Sequence, residues 1–187
     1  MRTLLAALVL TALAPWGNPA AADVQAAAAL RDGDMKKLIF HSAPQPISDV
    51  PFDMGDGTNA TLSEWAGRYT LVNFWATWCA PCRHEMPMLS ELQTEFGGDD
   101  FEVVTIATGP NNPAAMVQFF DEIGVDNLPM YQDQRQRLAA DMGVFGLPIT
   151  VLLNPNGEEI ARLRGDADWS SDTAKAIIQT LISGSGS

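Results

Sequence analysis

Residues 71–92 read LVNFWATWCAPCRHEMPMLSEL, and they hold both cysteines of the 187-residue chain, Cys79 and Cys82. Just before them, Tyr69 to Trp75 is apolar and rich in branched and aromatic side chains, the composition of a buried central strand. From Pro81 the period changes. Met86, Leu89, Leu92 and Phe96 recur at helical spacing until Gly97-Gly98 closes the pattern. The cysteines therefore fall at a strand-to-helix junction.

A Cys-x-x-Cys unit can be half of a metal site, a structural staple or a reactive dithiol. A structural zinc site needs four ligands, and only His41 and His84 are available to complete one. As a staple the pair would close so short a loop that the unfolded chain would lose little entropy. A reactive dithiol suits the placement better. Cys79 at a helix N-terminus meets unpaired amides and the positive end of the helix dipole, both of which favour a thiolate. Cys82, inside the first turn, is placed to attack a mixed disulfide on Cys79. Pro81 fits the first turn and stiffens the loop, whereas Pro87 is expected to bend the helix. His84, Met86 and Met88 carry copper-compatible donors, but Met86 and Leu89 also fit the buried stripe, which favours packing.

Outside this block, Met1 to Ala22 has a positive start, an apolar run from Leu4 to Ala14 and small residues at Ala20 to Ala22, as in an export signal cleaved after Ala22. The run is about half the roughly 20 residues a membrane-spanning helix needs. Removing the segment takes away Arg2 and no acidic residue, so the net charge moves from −12 to −13. Such a charge repels nucleic acid and anionic lipid. Residues 23–43 are expected to be a lead-in helix and linker, 44–183 one folded domain and 184–187 a flexible tail.

Within the domain, Asp56-Gly57 signals a two-stranded ribbon, and Thr61-Leu-Ser-Glu64 is a capping box that starts a single helical turn. Phe101 to Ala107 is a second buried strand, and Asn112-Pro113 starts a helix to about Ile123. A helix is expected over Gln134 to Met142, and a hairpin at Ile149–Leu153 and Glu158–Arg164 turns around Asn154-Pro-Asn-Gly157. A last helix runs from about Ser171 to Ile182. Alternating strands and helices imply parallel pairing. His41 shows no spaced partner and is expected to be a surface side chain.

Together, "FWATWCAPC", Pro87 five residues beyond the second cysteine, and Gly146-Leu147-Pro148 ahead of a terminal hairpin and helix resemble the thioredoxin superfamily from roughly Pro44 to Ile182. The ribbon, the block at 71–92 and the insertion around Met116 to Tyr131 resemble its TlpA/ResA/CcmG group. The resemblance implies an α/β thioredoxin-like fold, with a central mixed β-sheet flanked by helices, an N-terminal β-hairpin extension and a helical insertion. It makes Cys79 the nucleophile, Cys82 the resolving thiol and Pro148 a cis-proline that faces the dithiol. Trp78, Pro81 and Leu147 become substrate-contacting residues. Glu85, one turn after Cys82, becomes the proton carrier; Asn73 stands where thioredoxin has a buried aspartate, which strengthens that assignment.

The function implied is that of an exported, periplasmic thiol:disulfide reductant without cofactor or metal, acting as a monomer. Its clients would be proteins with disulfides, of copper-chaperone, oxidase copper-subunit or apocytochrome c type, with a membrane thiol transporter as electron donor. Two rivals stand beside it. A DsbA-like oxidant shares the fold but usually has a histidine between the cysteines and a large helical insertion. A copper-binding chaperone of the Sco kind places three residues between its cysteines.

Overall fold

The computed structural model describes residues 19–184, so most of the expected signal and tail lies outside the described residues. Its elements are α1 (Pro19–Ala29), β1 (Ile39–Gln45), β2 (Phe52–Asp53), β3 (Asn59–Ala60), β4 (Tyr69–Trp75), α2 (Ala80–Phe96), β5 (Phe101–Thr108), α3 (Pro113–Ile123), β6 (Tyr131–Asp133), α4 (Arg137–Asp141), β7 (Ile149–Leu153), β8 (Glu159–Arg164) and α5 (Asp172–Gly184). The strands form one sheet in the order β1-β8-β7-β4-β5-β6-β2-β3. β4, β5 and β6 run parallel, while β7 is antiparallel to β4 and β8 to β7. The sheet is therefore mixed, as expected.

The central strand is buried along its whole length, which explains its nearly unbroken apolar sequence. Successive side chains alternate between faces. Leu71 and Trp75 join Met86, Leu89, Phe119 and Ile177 in one core, whereas Val72 and Phe74 join Leu62, Val104, Leu138 and Val151 in the other. Asn73 has the same parity as Leu71 and Trp75, so this polar side chain points to the α2 side.

Around that centre, the Asp56-Gly57 ribbon forms as β2 and β3, with β2 added to the far edge of the sheet against β6. Glu64 accepts a hydrogen bond from the Thr61 amide at the start of the single 3-10 turn Leu62–Trp65. The Asn112 side chain accepts from the Ala114 amide at the start of α3, and Gly124 ends that helix in the left-handed region at φ 67°.

Two segments depart from the sequence reading. Residues 39–43, expected as linker, form with Pro44 and Gln45 the strand β1, which pairs antiparallel with β8. The strand is mostly exposed and contains Pro44, as an edge strand tolerates. The helix expected over Gln134–Met142 is only α4, because Gln136 adopts a left-handed φ of 56°. The missing turn is replaced by Asp133. Its carbonyl accepts from the Gln136 amide, and its buried carboxylate accepts from the amides of Arg137 (2.9 Å) and Ala139 (2.8 Å). Replacing Asp133 with Ala strands those amides, so denaturant unfolding should show a loss of about 1–3 kcal/mol. Asp133→Asn, which keeps one acceptor, should lose less.

Candidate active site

Cys79 is the N-cap of α2, and its Sγ accepts from the Cys82 amide at 3.2 Å. The two cysteines are joined in a disulfide; Cys82 is fully buried, and Cys79 keeps 5% of its surface exposed. The loop that leads from β4 into this turn is tied down from the neighbouring strand. Asn111 Oδ1, just after β5, accepts from both the amide and the hydroxyl of Thr77, at 2.9 and 3.0 Å. Sequence reading passed over Asn111, since a single asparagine in a loop carries no periodic signal.

The Leu147–Pro148 peptide is cis. β7 begins one residue later and pairs Ile149 with Phe74, so Pro148 arrives beside the end of β4, where the cysteine turn begins. Leu147 is half-buried. Trp78 is 65% exposed, and Pro81 lies on the surface beside it in the same turn. Phe145, missed in the sequence, is 89% exposed in the loop that carries the cis-proline. α2 runs on through Pro87 to Phe96.

Glu85 has no exposed surface. Its carboxylate accepts from Asn73 Nδ2 at 2.8 Å, from Trp169 Nε1 at 3.1 Å and from the Ala167 amide. Asn73 Nδ2 also donates to Thr150 Oγ1 at 2.9 Å. Asn73, which stands where thioredoxin has a buried aspartate, thus donates directly to the Glu85 carboxylate. Trp169 could not have been found by spacing, because it stands 84 positions from Glu85. Burial is the largest influence on this acid and lifts its pKa from 4.5 to about 7; the three donors pull it back and the Asp166 charge adds to the rise.

The other singled-out residues play structural parts. Met86 is packed in the core, and His84 faces Asp166 at 3.5 Å on the surface. His41 is not the solitary surface residue expected. β1 pairing brings its Nε2 within 2.8 Å of Glu159 Oε1. Glu159 also takes a two-pronged bond from Arg162, whose third nitrogen donates to the Met142 carbonyl at the start of the cis-proline loop.

A carboxyl group with a raised pKa makes folding take up a proton. The stability it contributes is complete below pH 4.5, falls as pH rises, and is gone above about pH 7. The loss across that window is about 3 kcal/mol. Glu85→Gln removes the titration, so the unfolding free energy of the variant should stay flat where that of the parent declines. Equal pH dependence in the two proteins would contradict the assignment.

Comparison with known proteins agrees with this geometry. The Redoxin family profile matches residues 42–178. A thiol-disulfide oxidoreductase ResA from Halalkalibacterium halodurans is 35% identical over 123 residues, 65% of this chain and 68% of that protein. The ResA of Bacillus subtilis is 31% identical over 121 residues, 63% of this chain and 66% of its own length, so the match spans just under two thirds of that relative. Among solved structures, a secreted thiol-disulfide isomerase from Corynebacterium glutamicum superposes with a TM-score of 0.66 at 23% identity, covering 84% of this chain and 96% of the other, which bears on the fold. With its cysteine turn, cis-proline loop and mixed sheet in these places, the chain belongs to the Redoxin family, as a ResA-like member of the thioredoxin superfamily.

Proposed function

We propose that this thioredoxin-like thiol-disulfide oxidoreductase works in its dithiol form, as a reductant of protein disulfides outside the cytoplasm. The observation that carries this reading is Glu85, a buried carboxyl group poised near neutrality one helical turn beyond the buried Cys82. A resolving thiol in an apolar interior must lose its proton before it can attack, and bulk water is not at hand to take it. Glu85 supplies the acceptor. The single helix α3 between β5 and β6 is also a modest insertion, unlike the large one of the oxidising relatives considered above.

The reaction is a two-step exchange. Cys79, as thiolate, attacks one sulfur of the client disulfide, and the other client sulfur leaves as thiolate. Cys82 then gives its proton to Glu85 and attacks Cys79 Sγ, which frees the second client sulfur. Two electrons pass from the dithiol to the client, the Cys79–Cys82 disulfide forms, and the client thiolates take up protons. Leu147, beside the cis-proline, and Trp78 hold the incoming chain.

The group resemblance directs the reading to the periplasm and to cytochrome biogenesis, with clients that carry copper-site cysteines ahead of those that carry haem-site cysteines. Re-reduction falls to a membrane thiol transporter, since exported compartments hold little reductant. No helix among the described residues is long and apolar enough to cross a membrane.

Reduced Cys82→Ser protein should accumulate a mixed disulfide with a client through Cys79, visible as a shifted band on non-reducing gels and lost on adding reductant. Cys79→Ser, which leaves only the buried thiol, should trap none. Equal trapping by both variants, or by neither, would remove the proposed roles.

A further inference from the structure

Two grooves straddle Phe145. One, of about 420 Å³, lies between Trp78 and Phe145, with Val144, Leu147 and Gln136 in its walls, and it contains no charged side chain. The other, of about 540 Å³, continues past Pro148 to Arg162 and Arg164 and contains no acidic one. Trp78 and Phe145 are the two most exposed large apolar side chains among the described residues. Such a pair beside a reactive dithiol is an apolar landing surface.

The second groove also holds an unpaired positive charge. Among the described residues Lys36, Lys37, Arg68, Arg83, Arg162 and Lys175 each pair with a carboxylate. Arg31 is engaged by main-chain carbonyls. The guanidinium groups of Arg135, Arg137 and Arg164 have no such partner. Arg135 and Arg137 flank Gln136, which lines the first groove, and Arg164 lines the second. Asp141 shares a neighbouring hollow with Arg164 without pairing to it. Of these three, Arg164 is the one that lines a groove beside the cis-proline loop, while the acid Asp166, two residues on, faces His84 at 3.5 Å.

We propose that this face selects clients whose reactive cysteine lies in an extended acidic segment, with a large apolar side chain seated between Trp78 and Phe145 and a carboxylate set against Arg164. The inference rests on the reductant reading and adds a client chemistry to it. Arg164 lines the second groove from the end of β8, so the contact is local. At about 0.15 M salt the screening length is about 8 Å, so acidic residues farther off than Asp141 and Asp166 contribute little there. A carboxylate–guanidinium contact at an exposed site corresponds to a few-fold in rate.

The test uses two synthetic peptides, each with one internal disulfide and a Phe on one side of the attacked cysteine, with Glu or Lys on the other. Second-order rates of their reduction by the pre-reduced protein are compared as a Glu-to-Lys ratio, at about 0.15 M salt. Taking the ratio across protein variants cancels the intrinsic reactivity of each peptide. Arg164→Gln should lower the ratio about threefold and Arg164→Glu about tenfold. Arg164 is exposed, and the milder variant stands if the charge reversal disturbs the fold. A ratio that is the same in the parent and in Arg164→Gln overturns the proposal. Failure of the parent to reduce either peptide overturns the reductant reading, and the client chemistry with it.

Discussion

A carboxyl group sealed inside the apolar core organises this protein. Glu85 comes from α2, Asn73 from β4, and Ala167 and Trp169 from the segment that joins β8 to α5, so three distant stretches meet at one acid. An ionised carboxylate in that position without partners would be prohibitively costly, and the three donors reduce the cost without abolishing it. The result is an acid that exchanges its proton near neutrality. The same arrangement fixes α2 on the sheet, and with it the orientation of the cysteine turn at the helix start.

The framework around the dithiol was legible in the sequence because it is written in local periodicity. β4 and β7 begin and end where their apolar runs do, and α2 follows its stripe to Gly97. The cysteine pair, too few other ligands for zinc, and Glu85 at one turn's distance were all contained in a dozen residues. What escaped was non-local or stereochemically specific. β1 lies far from β8 in the chain, alternates weakly and holds a proline, so nothing in residues 39–45 announces a strand until its partner is in place. His41 gained its partner Glu159 by the same pairing. α4 was shortened by a left-handed residue at Gln136, where glycine would have been the signal, and by Asp133 capping from within the strand before it. Trp169 and Asn111 act through tertiary contacts, and Phe145 declares itself only by its exposure.

In the proposed reading the site divides into an interior for protons and a surface for clients. Inside, Cys82 and Glu85 are both excluded from solvent. Outside, Trp78 and Phe145 are exposed, while Cys79 is itself nearly covered. The Arg162 bond to the Met142 carbonyl connects β8 to the loop that bears Phe145 and Pro148. The Glu159–Arg162 ion pair thus adds to the core packing of Met142 and Val144 in holding that loop.

The central claim is that the dithiol is a reductant, and equilibrium with a glutathione redox buffer at pH 7 measures it directly. The account predicts a reduction potential on the reducing side of about −200 mV, toward the thioredoxin value of about −270 mV. A potential near about −120 mV, where strongly oxidising relatives of this fold lie, would contradict it.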